Sequence, residues 1–305
     1  MKIGDSEMKD SRHRLKTGSD WNIDLEDSEA LYKLEIAKYV IYLKTQGYRN
    51  STVIGYESYL YRFLKYSQTT RPQQKHIDKF YEYLLTKNIS KSTYNQYSYA
   101  IKSYLKMQGI DFKPKILKRD NKIPRYFTKE EIDKIFSAIY NIKHLAMFMT
   151  GFYACLRSSE LANIEDQDLD LKSLSIRINS GKGGKDGIVF INDRTAQVLT
   201  AYLRMRPPLL IDDKQYLFYT DYGRKWTKES IYDVFQDYKD RAGISKKAGP
   251  HVFFRASPAT LMVSRGCDIR IVKDILRHSD IRTTLRYVFV EDQTKRTMYD
   301  KYLIL

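Results

Sequence analysis

His251, Arg255, His278 and Tyr287 fall in one stretch near the end of the chain, PHVFFRASPATLMVSRGCDIRIVKDILRHSDIRTTLRY, residues 250–287. His251 and Arg255 stand four residues apart, about one helical turn. His278 follows an amphipathic segment, and Tyr287 stands nine residues after it. Upstream, CLRSSEL supplies Arg157 and SGKGGKDG supplies Lys182 at the expected tip of a hairpin. These residue types suit a phosphodiester. That electrophile is already negative and repels a nucleophile, so a site that attacks it must first set cations on the nonbridging oxygens. Arginine does this best, because its planar guanidinium gives two parallel hydrogen bonds and stays charged at any relevant pH. Arg157 and Arg255 are the candidates for that role, and Tyr287 for the nucleophile. A phenol with a pKa of about 10 is protonated at pH 7, so it needs a base or cationic neighbours that favour the phenolate. Glu160, three residues after Arg157, lies on the same face if the segment is helical there, and can orient the guanidinium by a charged hydrogen bond.

The order Arg157, Lys182, His251 with Arg255, His278 and Tyr287 resembles the tyrosine recombinase (phage integrase) family, which includes the Xer-like site-specific recombinases, over roughly the last three-fifths of the chain. LRHSDIRTTLRY is similar to the family's LGHSSxxTTxxY, with Arg277 where the family has glycine. HVFFRASPAT is similar to HxLRHxFAT, but one residue has been gained between His251 and Arg255, and Pro258 stands where an aromatic is usual. Locally, Ser257 as N-cap with Pro258 first in the helix is the cheapest solution, leaving His251 and Arg255 in a preceding turn. The resemblance implies that Lys182 is the general acid on the leaving 5′ oxygen, with Lys185 a close rival, and that His278 is the second histidine of the set. It implies attack by Tyr287 to give a 3′-phosphotyrosyl intermediate without metal, ATP or other cofactor. The implied partners are double-stranded DNA and three further copies of the chain, a homotetramer on paired recombination sites. Two other readings share these residues. One is a non-enzymatic DNA-binding protein with a defective site, which the gained residue before Arg255 would fit; the other is a strand-relaxing enzyme of the type IB topoisomerase kind.

The elements that must carry these residues are legible in the periodicity. A chain of 305 residues suits two domains, each with its own core. A formal charge of +16, from 53 Lys+Arg against 37 Asp+Glu, favours a polyanionic partner. No stretch reaches the ~20 apolar residues of a membrane span, and the first residues lack a signal peptide's apolar region, so a cytoplasmic protein without a membrane partner is expected. Cys155 and Cys267 have no CxxC or Cys/His company and read as reduced thiols.

Residues 1–28 are polar and without apolar period, the pattern of a mobile tail. Residues 29–108 read as four helices, ended by Gly47 and Gly109 and capped by Ser51 and by Ser90 or Ser92, and are similar to the family's core-binding domain. This block holds 14 of the 26 tyrosines on helices too short to bury every ring, so some rings should face a partner. Residues 109–126 read as a basic linker. Its Lys113, Lys115, Lys118, Arg119 and Lys122, together with Lys185 of the hairpin, are candidate contacts to a DNA backbone. Residues 127–287 form the expected catalytic domain: a capping box at Thr128 and Glu131, a buried helix in HLAMFMTGFYACL, two strands about the SGKGGKDG turn, further helices, and YLFY as a strand candidate. Residues 288–305 read as a short helix and an apolar tip for docking within or between subunits. The fold class is mainly α (α+β): a helical N-terminal domain and a mostly helical catalytic domain with a small antiparallel sheet.

Overall fold

The computed structural model describes residues 25–118, 124–179, 187–288, and residues 296, 299 and 300. The chain divides into two compact units, Met1–Asn121 and Lys122–Leu305.

The first unit has four helices among its described residues: α1 (Leu25–Thr45), α2 (Asn50–Ser67), α3 (Gln74–Thr86) and α4 (Lys91–Met107). Helix α1 begins four residues inside the segment expected as a tail. Gly47 takes φ +75, which lets its N–H reach Lys44 O and the next N–H reach Leu43 O, closing the end of α1. Ser90 caps α4 through the Thr93 N–H, as its position predicts. Ser51 caps nothing: α2 starts one residue earlier, with Arg49 at the N-cap and no side-chain bond. Tyrosine is core material here. Tyr39 and Tyr104 are fully buried and meet edge to face at 5.7 Å, while their hydroxyls donate to Ala100 O and Thr70 O. Tyr48, Tyr66, Tyr83 and Tyr99 are the rings left exposed.

The expected linker is partly something else. The Asn95 side chain exchanges two hydrogen bonds with the Leu117 peptide, at 2.8 and 2.9 Å, and Ser98 donates to Lys115 O. Phe112 and Leu117 pack on the four-helix core. Residues 112–117 are therefore a strap on α4, because the backbone groups of an irregular segment find partners in two polar side chains of that helix. Lys113, Lys115 and Lys118 project from it into solvent. Arg119 and Lys122 lie outside the described residues.

In the second unit, α5 (Lys129–Ala138) opens with the expected Thr128–Glu131 capping box, and α6 (Ile142–Tyr153) is capped by Asn141 and buried along most of its length. After α7 (Ser158–Leu161), three antiparallel strands pair in the order β1 (Leu169–Asp170), β2 (Ser175–Ile178), β3 (Gly187–Phe190). The register Ile176↔Val189 and Ile178↔Gly187 turns Ile176, Ile178 and Val189 inward and leaves Ile188 and Phe190 exposed. The hairpin turn, with Lys182 and Lys185, lies outside the described residues. YLFY is buried but not a strand, since its partner segment is too short for a ladder: Leu217 bonds to Ile164 O, and only single bridges flank it. Helices α8 (Asp193–Met205) and α9 (Lys228–Arg241) follow, then α10 (Ser257–Ser264), α11 (Ile269–Ile275) and α12 (Arg282–Leu285). The core is rich in phenylalanine: Phe127, Phe148, Phe235, Phe253 and Phe254 are all essentially inaccessible. Helix α6 passes so close to this cluster that a Cβ on Gly151 would lie 3.0 Å from the Phe254 ring. The short helix and apolar tip expected after Tyr287 fall almost entirely outside the described residues.

Candidate active site

The approach to α10 corrects the sequence reading. Ser257 is not an extended N-cap; it and Ala256 both have helical dihedrals, and the chain runs into α10 from a π-helical turn, Val252–Ala256, in which Ser257 N–H bonds to Val252 O. A π turn spans one residue more than an α turn. It absorbs the residue gained between His251 and Arg255 without breaking the helix, and it sits directly before Pro258, which has no N–H to continue an α ladder. The Ser257 hydroxyl holds this turn to the start of the unit, accepting Phe127 N–H and donating to Val252 O, each at 2.9 Å.

Arg255 comes off the π turn into the interior with 1 % of its surface accessible. It donates to Cys155 O and Leu276 O, both at 2.6 Å, tying the end of α6 to the end of α11. Burial, then the neighbouring Arg157, pushes its pKa down to about 10, so it stays charged at pH 7.

Arg157 is the N-cap of α7 and Glu160 is its third residue. One Glu160 oxygen takes the Arg157 N–H at 2.8 Å and the other takes Arg157 Nη1 at 2.5 Å. The carboxylate is almost buried, with 6 % of its side chain exposed. Burial alone would raise its pKa; the Arg277 guanidinium, the Arg157 N–H and the Arg157 guanidinium together outweigh that, and the carboxyl is held below its ordinary value.

His278 follows α11, and its Nδ1 lies 2.8 Å from Oγ1 of the fully buried Thr284 in α12. Desolvation first, then Arg255 and Arg157, pushes its pKa down to about 4, so the imidazole is neutral at pH 7. Its ring lies nearly parallel to that of Tyr287, centroids 6.5 Å apart. Tyr287 is 7 % exposed, packed in a small cluster with Cys155, Ala256, Ala259, Val272 and Leu276. Desolvation raises its pKa, against Arg255, Arg286 and Arg157, whose charges favour the phenolate. His251 is on the accessible side of the π turn, yet the protein around it, followed by Arg255, Arg157 and Arg286, lowers its pKa as well.

Two arginines, two neutral histidines and a tyrosine thus converge from α6–α7, the π turn and α11–α12. The sequence profile of the Phage integrase family matches residues 125–294, the stretch that contains all of them. This chain belongs to the phage integrase family and is a tyrosine recombinase. It is 31 % identical over 274 residues to the tyrosine recombinase XerA of Thermococcus onnurineus, an alignment covering 87 % of this chain and 94 % of that protein. To XerA of Pyrococcus horikoshii it is 29 % identical, over 87 % of this chain and 92 % of that one. A crystal structure of XerA recombinase matches with a TM-score of 0.54 at 26 % identity, covering 90 % of this chain and 99 % of that chain. XerH site-specific recombinase bound to its difH substrate, at 17 % identity, shares the fold with a TM-score of 0.71, covering 91 % and 97 %.

For this recombinase, sequence reasoning missed three contributors. Thr284 is the second threonine of the TT pair in the family pattern, and that pattern was the available signal. Arg277 stood out as the residue in place of a glycine; it takes up the left-handed backbone itself, at φ +51, and donates Nη2 to Glu160 Oε2 at 2.5 Å. The Cys155 carbonyl, acceptor for Arg255, gave no signal, because a main-chain atom has no letter in the sequence. Among the described residues, no group of three or more His, Cys, Asp or Glu is placed to hold a metal ion, and no helix is long and apolar enough to cross a membrane.

Proposed function

We propose that this recombinase cuts and rejoins double-stranded DNA at specific sites through a covalent bond between Tyr287 and the 3′ phosphate. The observation that supports this most is the surroundings of Tyr287: a nearly buried phenol beside a neutral imidazole, with three arginine charges favouring its ionised form. Arg157, held in place by Glu160, and Arg255 take the nonbridging oxygens of the scissile phosphate as charge builds there. His278, with Nδ1 engaged by Thr284, is left with Nε2 to donate to the same phosphate. As the Tyr287 oxygen bonds to phosphorus, the phenolic proton passes to a neutral imidazole of the site, and the bond to the 5′ oxygen breaks. Lys182 is the proposed donor of the proton that the leaving oxygen needs. The phosphotyrosine keeps the energy of the broken bond, so a 5′ hydroxyl from a second duplex can displace Tyr287 without ATP.

The DNA partner is supported by relatives such as XerH bound to difH and by the chain's charge of +16. Lys113, Lys115 and Lys118, exposed on the α4 strap, are proposed contacts to a phosphate backbone, Lys115 by exchanging its ion pair with Asp78 for one with a phosphate. Four protomers are proposed to act on two paired duplexes, the assembly that family resemblance implies.

The test is to incubate the protein and Tyr287→Phe, in EDTA, with a library of nicked duplexes of randomised sequence, and to recover DNA covalently bound to protein. Adduct from the wild type and none from the variant is expected, and the captured sequences then report the recognition site. A wild type that binds these duplexes but captures none would overturn the recombinase mechanism in favour of a DNA-binding role.

A further inference from the structure

Arg277 occupies a place where the family pattern has glycine, in a backbone conformation that glycine favours. The side chain that Arg277 adds to this turn makes specific contacts. Its Nη2 donates to Glu160 Oε2, the oxygen that also takes the Arg157 N–H, so one carboxylate lies between two arginines brought together from 120 positions apart in sequence. The Arg277 side chain is 15 % exposed, and its buried Nη1 has no hydrogen-bond partner among the described residues, which leaves Glu160 as the group that fixes the guanidinium. The stem of Arg277 covers Gly187, the first residue of β3: a Cβ there would lie 2.8 Å from Arg277 Cδ. The next residue in the chain is His278.

We propose that Arg277 is a positioning residue of the recombinase site, gripping Glu160 through the oxygen that also takes the Arg157 N–H and so locking Arg157, His278 and the base of the β2–β3 hairpin into one frame. The inference rests on the phosphate-binding reading of Arg157. Charge explains why a second arginine is useful there. Glu160 paired with Arg157 alone would be neutral; with Arg277 the trio is net positive, so Arg157 is held by a carboxylate without its charge being cancelled toward a phosphate.

Arg277→Gly restores the family's residue at a φ that glycine accepts, so the backbone is not expected to suffer. The probe is a nicked duplex captured from the randomised library, used at saturating concentration in single-turnover reactions so that weaker binding cannot pass for slower chemistry. Arg277→Gly is expected to form the adduct slower by on the order of 10²-fold, the scale of a small misplacement of a reacting group. Arg277→Lys, which keeps the charge and one donor, should recover part of the rate. Glu160→Gln combined with Arg277→Gly should be no slower than the slower single variant, since both break one bridge. Arg277→Gly reacting as fast as the wild type, or effects that multiply in the double variant, would overturn the role of Arg277 alone. A wild type that forms no adduct would instead overturn the recombinase mechanism, and the positioning role with it.

Discussion

Ser257→Ala is the sharpest test of the π turn. The hydroxyl it deletes is fully buried, accepts Phe127 N–H and donates to Val252 O. The Val252 carbonyl keeps the Ser257 N–H as a donor, so losing the hydroxyl there costs about 0.5–1.5 kcal/mol. Phe127 N–H has no other acceptor among the described residues, and a stranded buried donor costs a further ~1–3 kcal/mol. The sum is about 1.5–4.5 kcal/mol. With a urea slope of about 2 kcal/mol/M, the unfolding midpoint of the second unit should fall by about 1–2 M. Fluorescence of the buried Trp226, in a Trp21→Phe background, reads that unit. Thr260→Ala is the control: its hydroxyl bonds only the Ala256 carbonyl one turn back in the same helix and strands no donor, so about 0.5 kcal/mol is expected. If the two variants unfold at the same midpoint, Ser257 does not pin the turn and the π turn is held by packing alone.

Two further outcomes follow from the site. The His278 pKa is pushed down to about 4, chiefly by desolvation, whereas the unfolded imidazole protonates from about pH 6.5. Stability should therefore decline as pH falls from about 6.5 to 4, as the unfolded chain binds the extra proton. Glu160 adds a second decline below about pH 4.3, because its folded carboxyl, buried but held down by Arg277 and Arg157, is protonated only at still lower pH. Urea midpoints at pH 7, 5 and 3.5 should show the upper slope flattened in His278→Gln and the lower one in Glu160→Gln; unchanged slopes would refute these assignments. Thr284→Val keeps the side-chain shape but removes the bond to His278 Nδ1, and should slow single-turnover adduct formation by roughly 10-fold, one hydrogen bond's worth, with duplex affinity intact. An unchanged rate would mean that packing, not Thr284, orients the ring.

Much of this protein is decided by short-range rules that can be read letter by letter. Apolar period and capping residues located α1–α4, α5, α6, α8 and α9, because a helix is stabilised by neighbours within four residues and ended by a local backbone requirement such as that of Gly47. The order and spacing of Arg157, Arg255, His278 and Tyr287 carried the family. The failures were of one kind. Ser51 and YLFY were misread where a neighbouring residue or a missing partner segment decided the outcome. The strap of residues 112–117 depends on Asn95 and Ser98, some twenty positions away, and no periodicity announces it. The extra residue before Arg255 was plain in the sequence, but that a π turn absorbs it depends on Ser257 meeting Phe127 from the far end of the unit. Arg277 was visible as an anomaly, while its reason, a carboxylate 117 positions upstream, exists only once the chain is folded. Local propensity sets which elements form; the pairing of buried charges and stranded main-chain groups is settled by tertiary contact, because only burial makes leaving them unpaired costly.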